Sequence, residues 1–214
     1  MTELLWDGPV DGSATVLLAH GAGAAMDSKG MTDIALAIAD RGLRVARFEF
    51  AYMAARRDGQ RKPPPRADTL VGEYRDAVAA VRAADPGSVL LIGGRSMGGR
   101  VASMVADELH GRGEIAGLVC LGYPFHPPGK PDQLRTAHLV HLASPALIVQ
   151  GERDEFGTRA EVDGYTLSPA IEILWLPDGD HSLTPRKSVS GFGYRDHVAT
   201  TADAVVAFAE RLAG

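Results

Sequence analysis

The sequence predicts an α/β fold: a mostly parallel, doubly wound sheet of six to seven strands with helices on both faces. Three observations lead there. Short runs rich in Val, Ile and Leu recur along the 214 residues, and most are nearly continuous rather than alternating. Strands covered on both faces read in that way. Between several of these runs lie apolar stripes at helical spacing. Strand and helix therefore take turns through the chain, which implies parallel pairing through right-handed crossovers.

In chain order, "ELLW" at the start has room for one small extra strand, and "ATVLLA" (14–19) is the first strong one. Met31, Ile34 and Ile38 then share a helical face, with Asp27 or Ser28 as N-cap and Gly42 as stop. "LRVARFEF" (43–50) is the next strand, followed by the stripe Leu70, Tyr74, Ala77 and Val81, which "DPG" at 85–87 ends. "SVLLIG" (88–93) leads into a third stripe, Val101, Met104, Val105 and Leu109. "IAGLVCLG" (115–122), "PALIVQG" (145–151) and "IEILWLP" (171–177) are further strands. Val198, Ala202, Val205, Ala209 and Leu212 form the terminal helix, and Trp175 reads as core. Neither a repeat nor a composition shift divides the chain, so one domain is expected over 1–214.

The totals exclude several classes. A net charge of −5 argues against a general nucleic-acid binder. The single cysteine, Cys120, rules out an internal disulfide and any cysteine-based metal site, and its place in an apolar strand marks an inert core thiol. No apolar run approaches the roughly 20 residues that span a bilayer. The opening "MTELLWDGPV" lacks the basic region of a signal peptide, so a cytoplasmic protein without membrane contact is expected. Nothing identifies a protein partner.

The informative stretch is "GGRSMGGR" (93–100), four glycines around one serine at the end of a buried strand. Glycine costs backbone entropy, so the cluster needs a reason. A phosphate cradle nearly fits the Gly94 to Gly99 spacing, but Arg100 and Val101 stand where Lys and Ser or Thr are needed. A dinucleotide fingerprint begins at Gly21-x-Gly23, with Glu49 as a ribose acid, yet Met26 is too bulky for its third small position. The remaining reading is Gly94-x-Ser96-x-Gly98, a sharp strand-to-helix turn that exposes a serine oxygen beside a helix N-terminus.

With these residues the chain resembles the α/β-hydrolase superfamily over nearly its whole length. Strand 14–19 is then similar to the family's third strand and 88–93 to its fifth, which are neighbours, and "HGAG" (20–23) resembles its oxyanion loop. More narrowly, "HGAGA", "GGRSMGGR", "GYPFHPPGKP" and "VQGERDEFG" resemble a compact, lidless subgroup. That subgroup also occurs as a hydrolase-like domain in a subunit of a chromatin acetyltransferase complex.

The resemblance implies a nucleophile–acid–base order of Ser, Asp or Glu, then His. Ser96 is the nucleophile. "GERDEFG" offers Glu152, Asp154 and Glu155, and the family pattern falls on Asp154, with Glu155 next. Of seven histidines, only His181 occupies the family's position after the last strand, with His197 as fallback. The oxyanion donors implied are the N–H groups of Ala22 and Met97. No cofactor or metal is needed. His20 reads as structural support for the oxyanion loop, His110 as a solvated cation at a helix end, and His126, His138 and His141 as loop residues edging the pocket.

The connection from 122 to about 142 holds no amphipathic helix long enough for a lid, so an open site for small soluble acyl substrates is expected. The loop "ARRDGQRKPPPR", with Arg56, Arg57, Arg61, Lys62 and Arg66, lies on the same sheet edge. It reads either as a solvated loop or as a recognition element for an anionic substrate or an acidic partner. The expected activity is hydrolysis of a carboxylic ester or related acyl bond. A non-catalytic binding module of the same fold, or an acyltransferase, is the alternative.

Overall fold

The structure, a computed structural model, describes residues 2–60 and 62–214, so Arg61 of the basic segment lies outside the described residues. Its seven-stranded sheet runs in the order β1-β3-β2-β4-β5-β6-β7. The strands are β1 (Leu5–Asp7), β2 (Thr15–Ala19), β3 (Arg44–Phe48), β4 (Leu90–Arg95), β5 (Gly117–Leu121), β6 (Ala146–Gly151) and β7 (Ile171–Leu176). All neighbours pair in parallel except β1, which runs antiparallel on β3. The short first strand is held there by Asp7, whose carboxylate accepts from the buried Arg47 guanidinium at 2.8 Å.

Helices cover both faces: α1 (Lys29–Ala39), α2 (Ala51–Arg57), α3 (Val71–Ala84), α4 (Met97–Gly111), α5 (Arg159–Val162), α6 (Lys187–Ser190) and α7 (Tyr194–Ala213). A 3-10 turn, Ala67–Leu70, precedes α3. The continuous apolar strands are explained by two cores. Along β2, Leu17 and Ala19 enter the core under α3 and α4, while Val16 and Leu18 enter the one under α1 and α7. Period-two geometry sends alternate side chains to opposite faces, and both faces are dry. Among the described residues no helix is long and apolar enough to cross a membrane.

Three sequence expectations need correction. Residues 51–57, read partly as basic loop, form α2, which buries only Tyr52 and Met53 and so leaves no stripe to detect. β7 is an edge strand and is mostly half-exposed. Trp175 packs on the core but stays partly open, with the Arg159 guanidinium 5.9 Å from its ring. The connection between β5 and β6 contains no helix, as expected of a lidless fold.

Candidate active site

The site grows from the way β2 meets the start of α4. In the parallel register, Ala19 at the end of β2 lies opposite Gly94 on β4. The chain then reverses sharply into α4. A Cβ on Gly94 would lie 2.4 Å from the Ala19 carbonyl, and one on Gly98 2.5 Å from the same oxygen and 2.6 Å from that of His20. Real Cβ atoms do not approach so closely, so both positions of the G-x-S-x-G turn are confined to glycine. Ser96 between them has φ 50° and ψ −115°, a conformation that non-glycine residues adopt at a cost of about 1–3 kcal/mol. That strain places the hydroxyl at the N-terminus of a 15-residue helix.

Ser96 Oγ–H donates to His181 Nε2 at 2.8 Å, and His181 Nδ1–H donates to Asp154, 2.8 Å from Oδ2 and 3.0 Å from Oδ1. A carboxylate only accepts, so the proton sits on Nδ1 and leaves Nε2 free to accept from the serine. Asp154 is fully buried. Its oxygens also accept from the Gln150 side-chain amide at 2.9 Å and from the Phe156 N–H at 2.9 Å. Gln150 is itself held by Tyr123, whose N–H donates to its Oε1 at 2.7 Å. The acid thus has a fixed orientation before any substrate arrives.

His181 stands on a turn after β7 in which Asp178 and Leu183 both have positive φ. Asp180 braces this turn by accepting from the N–H groups of Ser182 and Thr184, at 2.8 and 3.0 Å. Arg153, beside Asp154, donates to the carbonyls of Asp178 and Thr184, locking the Asp154 loop to the His181 loop. Two further features frame the ring. The Phe156 ring lies 4.1 Å away, tilted by 31°. Gly122, with φ 65°, faces it from just beyond the end of β5, where a Cβ would stand 3.5 Å from Nδ1.

On the opposite side, the loop 20–23 is shaped by His20. Its Nε2 accepts from the Phe50 N–H at 3.1 Å, which leaves Nδ1–H to donate to the Gly21 carbonyl at 2.6 Å. Burial is the main cause that lowers the His20 pKa, in keeping with this neutral tautomer. Tyr52 Oη–H adds a bond to the Ala22 carbonyl at 3.1 Å. Ala22, Ser96, Met97 and Phe156 line one cavity of about 510 Å³. Among the described residues the N–H groups of Ala22 and Met97 meet no acceptor. A larger hollow of about 1130 Å³, between the β1 edge and α2 and α3, contains none of Ser96, Asp154 and His181, so size alone does not mark this site.

The other candidates fall elsewhere. Glu152 pairs with Arg159, and Glu155 is exposed. His197 is buried and its Nδ1–H donates to the Leu183 carbonyl. Glu49 pairs with Arg57 and caps the Met26 N–H. His110 is half-buried and bonded to the Ile115 carbonyl rather than solvated. None of His126, His138 and His141 lines the cavity; His126 is buried, and His138 lies 2.8 Å from Ser103. Cys120 is buried, which pushes its thiol pKa far up, as an inert core thiol requires. Among the described residues no cluster of His, Cys, Asp and Glu could hold a metal. Sequence reasoning missed Gln150, Gly122 and Phe156. The lone polar residue in the run "PALIVQG" was the one legible signal.

Comparison with known proteins agrees with the fold. The sequence pattern of an alpha/beta hydrolase domain matches residues 12–210. Among solved structures, a dienelactone hydrolase from Anabaena variabilis superposes with a TM-score of 0.75 at 17% identity, covering 98% of this chain and 91% of that one. An alpha-beta serine hydrolase homologue from Coxiella burnetii gives 0.68 at 20% identity over 96% and 89%. A serine hydrolase without lid from Xanthomonas campestris gives 0.68 at 19% identity over 98% and 88%.

Proposed function

On the premise that the chain belongs to the alpha/beta hydrolase domain family, we propose that it is a serine hydrolase cleaving a carboxylic ester or related acyl bond of a small soluble substrate. The observation that carries this reading is the unbroken chain from Asp154 through His181 to Ser96, with 2.8 Å at each link. Nucleophilic catalysis by serine requires such a base within hydrogen-bond reach and an acid that orients it.

In this reading His181 Nε2 takes the Ser96 proton as Oγ attacks the acyl carbon, forming a tetrahedral oxyanion. Asp154 holds the Nδ1–H tautomer and stabilises the imidazolium. The oxyanion is met by the N–H groups of Met97 and Ala22, where the dipole of α4 also favours negative charge. Collapse of the intermediate breaks the bond to the leaving group, which takes the proton from Nε2. Water then attacks the acyl-enzyme, with His181 again accepting a proton and passing it to Ser96. The chemistry uses protein groups alone, and the open, lidless cavity suits soluble substrates.

The test is a panel of short acyl esters, thioesters, peptide amides and a long-chain triglyceride emulsion, with Ser96→Ala as control. Turnover of a short soluble ester that disappears in the variant supports the proposal. No turnover anywhere in the panel favours the binding module, transfer to an added alcohol without hydrolysis favours an acyltransferase, and preference for the emulsion refutes the soluble-substrate assignment.

A further inference from the structure

The charges around the cavity are unevenly matched. Arg66 and Asp68, both in its lining, pair with each other at 2.9 Å. Arg100 and Arg135 line the same cavity, and among the described residues neither guanidinium meets a carboxylate. Arg100 Nε is buried without any hydrogen-bond partner. Burial, and after it the charge of Arg100, lowers the Arg135 pKa, so the two cations repel each other with no anion between them.

Both are mounted on fixed backbone. Arg100 sits in the first turns of α4, its N–H donating to the Ser96 carbonyl at 3.0 Å, which puts it about 6 Å along the helix from the nucleophile. Arg135 lies in the connection between β5 and β6. Its N–H donates to the Phe125 carbonyl at 2.7 Å, and its own carbonyl accepts from Tyr123 Oη–H at 3.1 Å. A buried polar group without a partner calls for an explanation, and guanidinium forks match carboxylate and phosphate geometry. Three described arginines of the basic segment 56–66 are engaged elsewhere. Arg57 is paired with Glu49 and Asp27, Arg66 with Asp68, and Arg56 donates to the Lys62 carbonyl.

We infer that Arg100 and Arg135 bind an anionic group, a carboxylate or a phosphate, carried on the acyl substrate a short spacer away from the carbonyl that Ser96 attacks. The inference rests on the hydrolase reading and narrows its substrate class. With Asp68 neutralised by Arg66, the described residues give the cavity two net positive charges beside Ser96, and a neutral ester leaves both unanswered.

Two measurements separate this inference from that reading. The first compares kcat/KM for monomethyl glutarate with that for methyl valerate, its neutral counterpart, in wild type, Arg100→Gln and Arg135→Gln. A charge-assisted bond to a guanidinium is worth a factor of about 10 or more, so the anionic-to-neutral ratio is expected to exceed about 10 and to fall by at least that factor in either variant. High salt is expected to lower the same ratio. Equal rates on both esters, with fluorophosphonate labelling of Ser96 intact, overturn the anion site and leave the hydrolase reading standing.

The second measurement titrates Ser96→Ala protein with monomethyl glutarate and with inorganic phosphate, which needs no turnover. Binding of either anion that is lost on adding Arg100→Gln supports the site and says which anion it prefers; absence of both overturns it. Melting temperatures guard against a structural role. Removing an unpaired cation is expected to leave them level or raised, whereas a steep fall with an unchanged substrate ratio would overturn the assignment.

Discussion

Gly98→Ala separates a nucleophile turn from an ordinary helix start by the sign of its effect. Residue 98 is in the first turn of α4 and does not have positive φ. In a plain helix, replacing glycine by alanine would stabilise by about 0.5–1 kcal/mol. Here the new methyl would stand 2.5 Å from the Ala19 carbonyl oxygen, 2.6 Å from that of His20 and 2.7 Å from the Ala19 carbonyl carbon. All three are backbone atoms, so no flexible side chain can turn aside. Ordinary contact begins at 3.4 Å, and β2 must withdraw from α4 by about 0.9 Å. That movement carries the loop 20–23 away from Ser96. Overpacking of this kind costs about 1–3 kcal/mol, which outweighs the gain in propensity. A misplacement of about 1 Å, or the loss of one oxyanion donor, lowers turnover by about 10²-fold or more. Thermal unfolding and kcat on a soluble ester, measured together, test both halves. A variant that melts higher than wild type and keeps kcat within about threefold would refute the close-approach argument.

Other perturbations probe the base and its supports. Phe156→Ala removes the ring that covers one face of His181 at 4.1 Å, and the reaction of Ser96 with a fluorophosphonate is expected to slow about tenfold with the fold intact; an unchanged rate would show that Asp154 alone orients the imidazole. His20 has a pKa lowered from 6.5, so the unfolded chain binds its proton more readily than the folded one. Its contribution is therefore complete above pH 6.5 and declines as pH falls from 6.5 toward the depressed folded value. His20→Gln is expected to flatten the dependence of melting temperature on pH in that window, and parallel curves would assign the acid sensitivity to another group.

Most of the sheet was legible because its strands are buried on both faces and read as unbroken apolar runs. The exceptions have physical causes. β7 lies at an edge, where one side faces solvent and Trp175 needs only partial cover. α2 buries two residues in seven, too few for a helical stripe. At the site, Ser96 announced itself through the glycines that its turn requires. Asp154 and His181 are legible only through the family resemblance, because their meeting depends on the long-range packing of loops 27 residues apart. In the sequence, Arg100 stands out only as the residue that spoils a phosphate loop. That it and Arg135 share a cavity in which neither meets a carboxylate is a property of the tertiary structure, and no local pattern encodes it.

The most direct measurement is to treat the wild-type protein and the variants Ser96→Ala and His181→Ala with a fluorophosphonate and locate the adduct by peptide mass spectrometry. An alcohol made reactive by a neighbouring imidazole should carry a single phosphonate at residue 96 in the wild type and none in Ser96→Ala. Labelling in His181→Ala should be slower by about 10³-fold or more. An unmodified wild-type protein, an adduct at another residue, or a histidine variant that reacts as fast as wild type would contradict it.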